Sequence, residues 1–219
     1  MASTPRRRTP EPFSEISAVP PTSLPLSGDP AADQLLVSDS LALLIGMVLD
    51  QQVPLERAFH SPLDLQQRLQ RPLDASEIAD MDPERLVELF SRRPALHRFP
   101  GSMARRVQDV CRVVADQYGG RAEQVWRSAP TGEVLLARVR ALPGFGEHKA
   151  RIFVALLAKR MGVAPPGWEE AAGDFGAPGS HLSVADIDSP EALVQVRAAK
   201  AAVKAAAKAR AGEQAPGSG

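Results

Sequence analysis

Apolar residues recur at helical spacing along this chain in short runs divided by Pro, Gly and polar breaks, a pattern that predicts an all-α protein. The densest run, Leu41, Leu43, Leu44, Ile45, Met47, Val48 and Leu49, is apolar nearly all round, as in a buried central helix. Ser38 or Asp39 can serve as its N-cap, and Asp50-Gln51-Gln52 ends it. Pro54 fits the first turn of another helix, through Phe59. Ser61-Pro62 and Asp82-Pro83 repeat that cap-and-proline start for helices to Leu69 and Phe90. Beyond the break Arg98-Phe99-Pro100-Gly101, a helix from Ser102 to Tyr118 carries Met103, Val107, Val110, Cys111 and Val114 on one face and stops at Gly119-Gly120. A short helix around Val125 and Trp126 follows, and no segment alternates in the manner of a strand.

The two ends differ from this middle. Residues 1–30 are rich in Pro, Ser and Thr, carry Arg6-Arg7-Arg8, and are expected to form a disordered tail. Residues 31–162 are the expected helical domain, and 163–188 a loop-rich segment with a brief helix over Trp168 to Ala172 and a glycine-rich stretch from Gly173 to His181. Ser189-Pro190 opens a last helix, 189–211, and 212–219 should again be disordered. In that helix Lys200, Lys204 and Lys208 recur every fourth residue with Arg197 and Arg210 nearby, giving one basic stripe: either a solvated face or a sequence-independent phosphate contact.

Composition narrows the function classes. With 219 residues the chain suits one medium domain or two small ones, and its formal net charge of zero argues against coating DNA non-specifically while leaving room for a local basic face. The single cysteine, Cys111, excludes an internal disulfide framework and a cysteine-held iron–sulfur cluster. Neither a membrane-spanning run nor a signal-peptide core is visible, so a soluble cytoplasmic protein is expected.

The stretch with chemistry in it is Ala141-Leu142-Pro143-Gly144-Phe145-Gly146-Glu147-His148-Lys149-Ala150. Before it, Thr131 is placed to cap a helix with Val134, Leu135, Val139 and Ala141 on one side; after it, Ile152, Phe153, Leu156 and Leu157 stand at helical spacing. Pro143 and Gly144 stop the first helix, and the second resumes almost at once. Glycines in such a turn let backbone N–H groups approach another molecule closely, and those at a helix start favour an anion such as phosphate. Taken alone, Pro-Gly-x-Gly can also be a plain tight connection between helices, the lesser of the two readings.

The string Leu-Pro-Gly-Phe-Gly-Glu-His-Lys-Ala resembles the helix-hairpin-helix of the DNA glycosylase (HhH-GPD) superfamily, which includes endonuclease III, the adenine-mismatch glycosylases and the 3-methyladenine glycosylases. Leu43 to Val53 looks like the early superfamily helix that ends in a glutamine at the DNA surface, and Pro100 to Val114 with Tyr118-Gly119-Gly120 looks like the segment before the hairpin, so order and spacing agree from about Leu35 to Gly162. The resemblance implies the all-α glycosylase fold without an iron–sulfur cluster or other cofactor, bound to double-stranded DNA carrying a damaged or mismatched base. It implies base-excision repair by a monofunctional glycosylase that hydrolyses the N-glycosidic bond of a flipped base; the alternative is a catalytically inactive damage-recognition protein on the same scaffold.

Residue by residue, the resemblance makes Gly144, Phe145 and Gly146 DNA-contacting and Gln51 or Gln52 the residue that fills the gap or touches the strand. The family's strand-cutting lysine falls at His148, and Lys149 is one step on, turned by about 100° around the helix, so Schiff-base strand cleavage is not expected. Lys149 is expected to pack its stem and offer its charge to phosphate, and His148 to contact DNA or line the pocket. The family's aspartate falls at Pro166; Glu170, Glu169 and Asp174 are the candidate replacements, with Glu170 preferred because Trp168 could desolvate it. Trp168 and Phe145 are the candidate stacking partners for a flipped base.

Overall fold

A computed structural model describes residues 23–213, and among them all regular structure is helical. The order is α1 (Pro30–Ser38), α2 (Ser40–Leu49), α3 (Leu55–Leu69), α4 (Ala75–Asp80), α5 (Pro83–Ser91), α6 (Pro100–Tyr118), α7 (Gln124–Arg127), α8 (Gly132–Arg140), α9 (Glu147–Met161), α10 (Trp168–Ala172) and α11 (Pro190–Glu213), with 3-10 turns at Gly173–Gly176 and Val184–Asp186. No single helix among the described residues is long and apolar enough to cross a membrane.

Helix α2 is the buried centre: Leu41 to Leu49 are all inaccessible, and Asp39, one of the two expected caps, accepts from the Leu41 and Ala42 amides at 2.8 and 3.2 Å. Gly46 in its middle lets α3 come close, since a Cβ there would stand 2.8 Å from Cδ1 of Phe59. Around this pair pack α1 and, through α6, α4 and α5. The second half of the chain, α7 to α10, gathers on α9, where Phe153 is fully buried between Trp126, edge-on at 5.5 Å, and Phe145 at 5.7 Å.

Two expectations about element boundaries are corrected, and one short helix is added. The ordered body starts before residue 31: Leu24 and Leu26 are fully buried, and Asp33 holds their segment by accepting from the Leu26 amide (3.1 Å), the Ser27 amide (2.8 Å) and the Ser27 hydroxyl (2.7 Å). The two helices expected around Ser61-Pro62 are one, α3, with Pro62 inside it. Ser61 is buried, with its hydroxyl 2.7 Å from the Arg57 carbonyl and 2.6 Å from that of Leu96, so it joins two parts of the fold rather than capping a new helix. Helix α4, six residues long, has too few turns to show periodicity; its start is marked by Asp74, whose carboxylate accepts from the Glu77 amide at 2.9 Å.

The loop-rich segment after α9 is pinned by a buried carboxylate. Asp186, with its side chain 3% exposed, meets Lys159 Nζ at 2.7 Å and the Ser180 hydroxyl at 2.7 Å with one oxygen, and the amides of Leu182 and Ser183 at 2.9 and 3.1 Å with the other. All its acceptor positions are thereby used, which makes the charge tolerable inside. Helix α11 reaches back to the first half through an ion pair between Arg197 and Glu56. The Arg6-Arg7-Arg8 cluster and the side chains of Lys200, Lys204 and Lys208 lie outside the described residues.

Candidate nucleic-acid interface

Helices α8 and α9 form the expected hairpin. The Thr131 hydroxyl accepts from the Val134 amide at 3.3 Å, and Leu135, Leu136 and Val139 form the buried face of α8; Val134 is only half-buried and Ala141 is exposed, because the helix ends at Arg140. Leu142 turns inward at 2% exposure. Gly144 then takes φ +83°, and a Cβ there would lie 2.6 Å from Cδ of Arg106, so both the backbone and the neighbour demand glycine. Gly146 is the N-cap of α9, with φ −72° and ψ 169°, and a Cβ there would meet nothing within 4 Å. No side chain caps α9, which leaves its first-turn N–H groups open to a ligand at the positive end of a 15-residue helix. The one acid in that turn, Glu147, is shared by Arg140 at 2.8 Å and Arg151 at 2.7 Å, so the local balance is cationic.

Behind the turn lies a polar seam between α9, the end of α2 and the start of α6. Lys149 Nζ donates to the carbonyls of Met47 (2.8 Å) and Val48 (3.1 Å), closing the C-terminus of α2, and lies 5.9 Å from the Phe145 ring centre. Burial, aided by the Arg106 charge, pushes its pKa down to about 8, while Asp50 pulls the other way. Gln51 donates to the Val48 carbonyl at 2.7 Å, lies 3.3 Å from the Met103 sulfur, and accepts from Arg106 at 3.4 Å. His97, 2% exposed, places Nε2 2.9 Å from the Gln51 carbonyl, while its Nδ1 accepts from the Phe99 amide at 3.0 Å.

The predicted site residues therefore separate into groups. Gly144, Gly146 and His148 sit at the exposed turn, His148 with its ring 5.1 Å edge-on from Phe175. Of the two glutamines, Gln52 is the exposed one, held at φ +55°, whereas the Gln51 amide is engaged inside the protein. Phe145, expected to touch DNA or stack on a base, is 4% exposed and packs on Phe153: the turn between two glycines folds its only apolar side chain into the core. Lys149, expected to offer its charge to phosphate, is directed inward to the α2 carbonyls.

The three candidate carboxylates are all exposed and do not converge. Glu170, the preferred one, lines a concavity of about 440 Å³ with Thr131, Glu133 and Leu136 at the start of α8, the end away from the hairpin turn. Glu169 and Trp168 line a separate cleft of about 510 Å³ with Lys159 and Arg160 from the last turns of α9. Asp174 is next in sequence to Phe175, whose ring packs edge-on against His148 at the start of the hairpin's second helix. Helix α10 packs against both α8 and α9, which sets Glu170 toward the start of α8 and Glu169 toward the last turns of α9.

Sequence reasoning passed over His97, Arg106 and the corner Arg98-Phe99, where Phe99 is 42% exposed with the Arg98 guanidinium carbon 5.2 Å from its ring centre. The signal available was an arginine pair, Arg105-Arg106, in an amphipathic helix that begins directly after an Arg-Phe-Pro break. Among the described residues no group of His, Cys, Asp and Glu is arranged to hold a metal ion. No protein-family model, curated protein or solved structure matches this chain.

Proposed function

We propose that this chain is a base-excision repair protein that grips duplex DNA through its α8–α9 hairpin, on the scaffold of the helix-hairpin-helix DNA glycosylases. The observation that carries the reading is the uncapped start of α9 behind Gly146, open on its outer side and flanked by Arg140, Arg151 and Arg106. Backbone N–H groups there bind a phosphate without reading sequence, which is what a protein that searches for rare lesions requires. Gln52, exposed on the neighbouring turn, is the amide placed to enter the gap left by an extruded nucleotide. Lys149 binds carbonyls of α2, which favours hydrolysis over an amine-dependent strand cut.

Release of the base by a monofunctional glycosylase is the reaction this reading entails, and Asp174, whose neighbour Phe175 packs on His148, is the carboxylate to test first among the three candidates. The exposure of all three favours a second reading, lesion recognition without base release. A single-turnover assay on duplexes each bearing one modified or mismatched base separates them. Base release, with strand breaks only after alkali and no borohydride-trapped adduct, is the expected result. Specific binding to one lesion with no base release would establish the second reading instead.

A further inference from the structure

We propose that His97 is a positioning residue that locks the Gln51–Gln52 turn and the Arg98–Phe99 corner into one register on the face that meets DNA. The inference rests on the DNA-binding reading above.

The ring is buried where the end of α2 meets the lead-in to α6, and it makes one bond to each. Because the Phe99 amide can only donate, Nδ1 must be the unprotonated nitrogen; Nε2 then carries the hydrogen and donates to the Gln51 carbonyl. The two segments joined this way carry the exposed, left-handed Gln52 and the exposed Phe99. Gln52 and Phe99 are the exposed side chains whose spacing the bridge sets. A ring that bridges them fixes that spacing before DNA arrives, so its ordering entropy is not subtracted from binding.

The bridge has one titratable weakness. A second proton can enter only at Nδ1, where it would oppose the Phe99 N–H and break that half of the link. Desolvation holds the ring below the ordinary histidine range, helped by the Lys149 charge on α9, while the carbonyls of Gln51 and Leu49 pull the other way. The remaining charges around the seam are Arg106 on α6, bonded to Gln51, Asp50 at the end of α2, and Arg98 beside the ring in sequence. The register should therefore hold at neutral pH and loosen as pH falls through the depressed histidine value.

The test compares wild type, His97→Asn and His97→Gln on one duplex carrying a stable abasic-site analogue, from pH 7.5 to 5 at constant ionic strength. Asparagine keeps an acceptor near the Nδ1 position and glutamine keeps a donor near Nε2, so each variant preserves one half of the bridge. At pH 7.5 wild type is expected to bind about five- to tenfold more tightly than either variant, with the ratio falling toward one at pH 5. The ratio removes pH effects common to all three proteins. In wild type, the amide resonances of Gln52 and Phe99 should shift together, with the midpoint of the His97 ring. Superimposable pH profiles in the three proteins, or independent titration of the two amides, would overturn the positioning role while leaving DNA binding intact. No binding by wild type at any pH would overturn both readings.

Discussion

Replacing Phe153 by alanine is expected to cost about 3–5 kcal/mol of folding free energy, the range for deleting a fully buried aromatic ring. The ring stands between Trp126 on α7 and Phe145 in the hairpin turn, so its loss leaves a cavity at the place where three elements meet. The surroundings cannot simply collapse into it, since Phe145 is tied on both sides to glycines whose geometry is set by Arg106 and by the start of α9. Chemical denaturation should show the full loss for Phe153→Ala and a much smaller one for Phe153→Leu, which keeps most of the volume. A loss below about 1 kcal/mol for the alanine variant would mean that the hairpin is not anchored in the core as described.

The second large effect concerns Lys149 and pH. Its pKa is about 8 in the folded protein against an ordinary 10.5. Below pH 8 both states hold the proton, and the buried charge weighs against folding by about 2–3 kcal/mol relative to the neutral amine, an upper range for a group that keeps some solvent contact. Between pH 8 and 10.5 the unfolded chain holds a proton that the folded chain has released, so this residue makes stability rise with pH across that window. Lys149→Met removes the titration. Measured at pH 7 and again at pH 10.5, wild type should gain about 2–3 kcal/mol relative to the methionine variant. Parallel pH dependence in the two proteins would contradict the inward placement of the amine.

The fold was legible where one signal decided the outcome. Leu41 to Leu49, apolar on every side, has no environment but the core, and Thr131 and Gly119 mark helix ends by chemistry that needs no tertiary partner. It was less legible where a distant contact overrode a local sign. Ser61-Pro62 has the form of a helix start, yet the Leu96 carbonyl, far along the chain, claims the serine hydroxyl and the helix runs through. Leu24 and Leu26 sit in a proline-rich stretch that reads as a tail until Asp33 supplies their amides with an acceptor.

The candidate site divides in the same way. Gly144 and Gly146 were found because backbone geometry is written into glycine spacing. The directions of Phe145 and Lys149 were not, because a helix start presents side chains to two sides and only the packing of α2 and α9 shows which side is the interior. His97 gave no sequence signal, since its role depends on two backbone groups, one of them in a segment 46 residues away.

The central claim is that the outer side of the hairpin turn is where duplex DNA is held, and Gly146→Leu tests it most directly. The position has backbone angles any residue can adopt and open space around its missing side chain, so the variant should fold at an N-cap cost of about 1 kcal/mol or less. The measurement is equilibrium binding of a fluorescent duplex by wild type and by the folded variant at two salt concentrations. Wild-type affinity should fall steeply with salt, and the leucine should weaken binding at least tenfold, since it blocks the approach of a phosphate to the α9 amides. Equal affinity of the two proteins for the duplex would contradict the account.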